Sequence, residues 1–71
     1  MIVIGEWEGI PVERVIVILR NNGVTVSVQG EFTTLAKGEV QEVVKLPPRI
    51  KRRMLRRFCR LFGFEFHIFF V

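Results

Sequence analysis

Apolar residues Ile2, Val3 and Ile4 open the chain and predict a short strand. Gly5, Gly9 and Pro11 punctuate the next stretch as a turn region. Residues 13–20 are rich in β-branched side chains. Their run Val15-Ile16-Val17-Ile18-Leu19 has the nearly continuous apolar character of a strand covered on both faces. Asn22-Gly23 follows, a pair that tolerates positive φ and predicts a hairpin turn. Val24, Val26 and Val28 then alternate with Thr25, Ser27 and Gln29, the pattern of the returning strand. Residues 30–38 read as a loop or a broken strand around Phe32. Residues 40–46 predict a further strand, although 39–45 also passes for a helical turn, and Pro47-Pro48 stops it. At the end Phe64, Phe66, Ile68 and Phe70 alternate with Glu65, His67, Phe69 and Val71, predicting a last strand paired inside the sheet.

Between the prolines and that last strand lies a helical pattern over residues 48–62. Pro48 suits the first turn, where its missing N–H has no helical partner to lose. Gly63 suits a left-handed cap. At about 100° per residue, Ile50, Met54, Leu55, Phe58, Cys59, Leu61 and Phe62 share one half of the wheel. Arg49, Arg52, Arg53, Arg56, Arg57 and Arg60 fill the other half. Lys51 alone falls in the apolar arc, in a first turn from which it can snorkel. The pattern predicts an α+β fold, a small and mostly antiparallel sheet of four or five strands in ββββαβ order. One amphipathic helix packs on that sheet. No internal repeat, linker or low-complexity segment breaks the chain, so residues 1–71 read as one small domain.

Composition sharpens this picture in three ways. Hydrophobic residues make up 49% of only 71 residues. A chain so short buries about 60% of its unfolded surface, so some apolar surface is expected to seek a second copy or a protein partner. No apolar run approaches the roughly 20 residues of a membrane span, and residues 1–9 carry Glu6 and Glu8 without a basic start. A cytoplasmic location is therefore expected. Cys59 is the sole cysteine, which excludes an intrachain disulfide and fits a reducing compartment; its place on the apolar arc reads as core filler. Asp is absent, Asn and Gln are few and Arg is abundant, a weak thermophilic signature.

Charge changes the picture most. Residues 1–45 hold six Glu against four bases, net −2, whereas residues 46–71 hold seven bases against Glu65, net +6. The basic end is concentrated in the helix. Arg49/Arg53, Arg52/Arg56, Arg53/Arg57 and Arg56/Arg60 are like charges at i,i+4, each unfavourable by about a few tenths of a kcal/mol. Arg49, Lys51 and Arg52 sit where the helix dipole disfavours cations. Arginine adds a planar fork that matches phosphate or carboxylate.

Catalytic chemistry lacks its parts. One His and one Cys do not make a zinc site in one chain. Ser27, Thr25, Thr33 and Thr34 have no Asp–His relay, because there is no Asp. Gly5 and Gly9 are too sparse for a phosphate loop. No enzyme activity, metal or cofactor is expected. The arginine face predicts a sequence-nonspecific nucleic-acid-binding module, DNA or RNA, that uses Arg49, Arg52, Arg53, Arg56, Arg57 and Arg60. Trp7 and Phe32, in loop-like stretches, are the candidate stacking groups for unpaired bases. The alternative is an assembly module whose arginines meet carboxylates of this chain, a second copy or a partner. An anionic membrane surface is disfavoured, because the sheet needs the helix's apolar face as its cover.

Residues 15–61 also resemble a known pattern. Val15-Ile16-Val17-Ile18-Leu19, Gly30-Glu31-Phe32, Lys37-Gly38-Glu39-Val40 and Val44-Lys45-Leu46-Pro47 before a helix are similar to the small β-rich B domain of archaeal GINS replication subunits. The 71 residues hold no counterpart of that family's helical A domain, and this helix is richer in arginine. The resemblance implies a protein–protein docking module of a replication complex.

Overall fold

The computed structural model describes residues 9–65. They form β1 (Ile10–Pro11), α1 (Val12–Asn21), β2 (Thr25–Gln29), β3 (Phe32–Lys37), β4 (Val40–Val44), β5 (Arg49–Ile50) and α2 (Arg52–Phe62). The fold is α+β, as expected, but its strands fall into two antiparallel sheets. One pairs β1 with β5; the other has the order β2-β3-β4. The element order βαββββα over these residues replaces the expected ββββαβ. The strand expected at residues 2–4 and all but Phe64 and Glu65 of the one expected at 64–71 lie outside the described residues.

The largest correction concerns residues 13–20, which are helical. Val15 and Leu19 are buried, with Val12 and Ile18 packed against the core, so one stripe faces inward at helical spacing. Glu13, Arg14 and Arg20 face solvent on the other side. Five β-branched residues over 12–18 lower helix propensity, and burial of the stripe overrides that preference. Asn22-Gly23 accordingly ends a helix instead of turning a hairpin. The Gly23 N–H donates to the Arg20 carbonyl and the Val24 N–H to the Leu19 carbonyl, the two bonds of a Schellman motif. Gly23 has φ 83, Asn22 Nδ2 caps the Ile18 carbonyl at 2.8 Å, and Val24 is buried beside Leu19 in the core.

Residues 30–38 are a full strand with a turn at each end. Gln29 pairs with Phe32 across Gly30-Glu31, and Lys37 pairs with Val40 across Gly38-Glu39. Both two-residue loops place Gly first at positive φ, 62 and 60, as tight antiparallel hairpins require. Register sorts the side chains. Val26, Leu35 and Glu42 are aligned, as are Val28, Thr33 and Val44, so these six share a face. The opposite face carries Thr25, Ser27, Gln29, Phe32, Thr34, Ala36, Gln41 and Val43.

The core lies on the first face. Leu35 of β3, Val15 and Leu19 of α1, Ile10 and Ile50 of the small sheet, and Leu55, Phe58 and Phe62 of α2 form one cluster. The molecule is thus a two-layer packing, with helices over one face of the three-stranded sheet. The small sheet fixes the start of α2. Ile50 is fully buried opposite Ile10, and Val12 N–H donates to the Pro48 carbonyl at 3.0 Å. Residues 48–51, expected as the first helical turn, are therefore not helical: Arg49 and Ile50 are strand and Lys51 is extended. The other end matches expectation: Gly63 is left-handed, with φ 66 and ψ 42.

Candidate nucleic-acid interface

Helix α2 is held by Leu55, Phe58 and Phe62, each buried and spaced i, i+3, i+7. Burying such side chains stabilises by about 1.5–3 kcal/mol apiece, which outweighs repulsion between neighbouring arginines. Two polar contacts orient the helix on the sheet. Arg57 forms an ion pair with Glu42 on the inner face of β4. Lys37 Nζ, from the same face of β3, donates to the Phe62 carbonyl at 3.2 Å, a cation at the negative end of the helix dipole. The other end has no such complement. Lys51 is the N-cap residue, its carbonyl accepting from the Leu55 N–H at 3.1 Å, and no acid occupies the first turn.

The six predicted arginines separate into distinct environments. Arg49 is not on the helix; it lies in β5, where Nη1 donates to the Gly9 carbonyl at 3.1 Å. Arg57 is committed to Glu42. Arg52, Arg53, Arg56 and Arg60 are exposed on α2. No carboxylate among the described residues pairs with Arg53, Arg56 or Arg60. The described acids are spent elsewhere or stand apart: Glu42 holds Arg57, and Glu31 lies 4.0 Å from Lys45 in an exposed, weak pair. Lys51, which the wheel assigned to the apolar arc, is exposed. It precedes the helix, so helical phase does not govern it. Its position just before an arginine-rich first turn was the available signal.

These cations line two adjoining hollows. Lys51, Arg52, Arg53, Arg56, Arg57 and Arg60 surround one, with Leu61 at its edge. The second, of about 600 Å³, has Pro47 and Met54 among its lining, with Arg49, Lys51, Arg53 and Arg57 around them. Lys51, Arg53 and Arg57 belong to both and form the ridge between them.

Phe32 is 52% exposed, as a stacking group requires, but it projects from the sheet face opposite the one α2 covers. The structure therefore does not bring Phe32 to the arginines. Trp7 and His67 lie outside the described residues. Cys59 is half-buried against the core; burial, with the nearby Glu65 charge adding to it, pushes its thiol pKa up. It is held as the unreactive thiol, in keeping with a packing role.

Among the described residues no group of three or more His, Cys, Asp or Glu is placed to hold a metal ion, and no helix is long and apolar enough to cross a membrane. The chain matches no protein-family model, no curated protein and no solved structure.

Proposed function

We propose that α2 binds the sugar–phosphate backbone of nucleic acid without regard to sequence, in the cytoplasm. The observation that carries this reading is the exposed row Arg53, Arg56 and Arg60, three guanidiniums with no carboxylate partner among the described residues. Such a row is unfavourable for the isolated protein, since Arg56/Arg60 repel at i,i+4 and Arg53 adds its charge at the positive end of the dipole. An external polyanion turns both penalties into attraction. At 1.5 Å per residue, Arg53 to Arg60 spans about 10 Å of helix axis, the reach of about three backbone phosphates. Arginine forks onto phosphate oxygens, and such contacts position a backbone without reading bases.

The test is the Arg53→Glu/Arg56→Glu double variant, titrated into labelled oligonucleotides and followed by anisotropy. Both side chains are exposed, so circular dichroism should match the parent while binding falls at least tenfold. Unchanged affinity with an unchanged fold sinks the proposal. The Arg57–Glu42 pair favours a second reading, in which a partner protein or a second copy presents carboxylates to the remaining arginines as β4 does to Arg57. A docking module of the kind implied by the GINS resemblance would behave this way. Light scattering after size exclusion separates the readings: a salt-sensitive oligomer indifferent to oligonucleotides belongs to the second.

A further inference from the structure

We infer that the hollow beside Pro47 and Met54 receives an unpaired base, so that the strand bound by α2 is single. This rests on the phosphate-binding reading and adds the ligand's form to it. The two hollows differ in kind: one is walled almost wholly by cations, whereas the other has the apolar surfaces of Pro47 and Met54 between its charged side chains. They share the ridge Lys51, Arg53 and Arg57. A polynucleotide repeats the same pairing of parts, a charged phosphate beside a flat, largely apolar ring. A phosphate seated on the ridge at Arg53 and Lys51 leaves its neighbouring base over the Pro47–Met54 side.

Charge and size both fit. Arg57 and Arg49 already have partners in Glu42 and the Gly9 carbonyl, so they line the hollow with their guanidiniums engaged. Arg53 and Lys51 are left to take the anion. A volume of about 600 Å³ lies within the roughly 300–1000 Å³ of small-molecule sites, room for a base but not for a folded partner. Guanidinium planes offer stacking surfaces to bases as aromatic rings do. A duplex keeps its bases stacked inside and presents only phosphates to such a surface. The hollow also replaces Phe32 as the base-contacting element, since Phe32 faces away from α2.

The experiment titrates the intact chain into four labelled probes: a short single strand, the same strand made abasic, a duplex of that length, and anionic vesicles. A stacked base contributes about 1–3 kcal/mol, so the abasic strand should bind about fivefold or more weakly than the ordinary one, and the duplex more weakly too. Met54→Ala should narrow the gap between ordinary and abasic strands. If that variant fails to fold, the abasic comparison on the parent chain still decides. Equal binding of ordinary and abasic strands, or tighter binding of the duplex, overturns the inference and leaves the phosphate-binding reading intact. No binding of any oligonucleotide, with or without vesicle binding, overturns both.

Discussion

Glu42 takes Arg57 out of the row of exposed arginines on the helix. It lies on the inner face of β4, its side chain only 21% exposed, and it draws Arg57 down toward the sheet. The arginine end of that pair is 62% exposed, so solvent screens it and its worth to the fold is about 0.2–1 kcal/mol. Glu42→Gln should therefore lower thermal stability only slightly. It should also raise oligonucleotide affinity a few-fold, because one acid leaves the surface and one guanidinium is released. Melting curves and anisotropy on the same variant check both signs, and unchanged binding would place Arg57 outside the contact. The opposite directions matter, since a merely damaged fold would lower both.

Gly9 plays the corresponding part for the small sheet that starts both helices. Its φ is +84, and a Cβ there would stand 2.9 Å from the Ile50 carbonyl oxygen. That clash is with backbone, and it falls where β1 meets β5, directly before α1 and α2. Gly9→Ala should cost about 1–3 kcal/mol, read as a lower unfolding midpoint in urea; an unchanged midpoint would mean that the β1–β5 pairing adapts easily. What the sequence made legible among these elements follows from how specific each signal is. The amphipathic α2 and its Gly63 cap were legible, because arginines and aromatics divide cleanly around a wheel and glycine follows the last apolar residue. Helix α1 was not. Its run of valines and isoleucines is a strand by propensity, and only Val12, Val15 and Leu19 with Glu13, Arg14 and Arg20 betray the helical period. Asn22-Gly23 compounded the error, since positive φ serves a Schellman end as well as a hairpin. The true hairpins turn on Gly30-Glu31 and Gly38-Glu39, where the glycine comes first and Phe32 and Lys37 are strand ends. The late start of α2 depends on Ile50 pairing with Ile10, a contact 40 residues apart that no local pattern encodes.

The whole molecule divides its surface by charge. Helix α2 covers one face of the β2-β3-β4 sheet and leaves Arg53, Arg56 and Arg60 exposed, while the other sheet face carries no charged side chain on the paired residues. The candidate site was therefore legible as a residue class and not as a place. Arg53, Arg56 and Arg60 follow from the wheel, whereas the withdrawal of Arg49 and Arg57, the exposure of Lys51 and the hollow at Pro47 and Met54 depend on tertiary packing. A net charge of +4 at neutral pH strengthens encounter with any polyanion, so bare affinity at one salt concentration says little. The decisive measurement is the slope of log affinity against log salt for a labelled single strand. Displacement of counterions from about three phosphates predicts a slope near −2, made shallower by Arg53→Gln. Absence of binding at low salt, or affinity that does not fall as salt rises, would show that the arginines of α2 do not hold a nucleic-acid backbone.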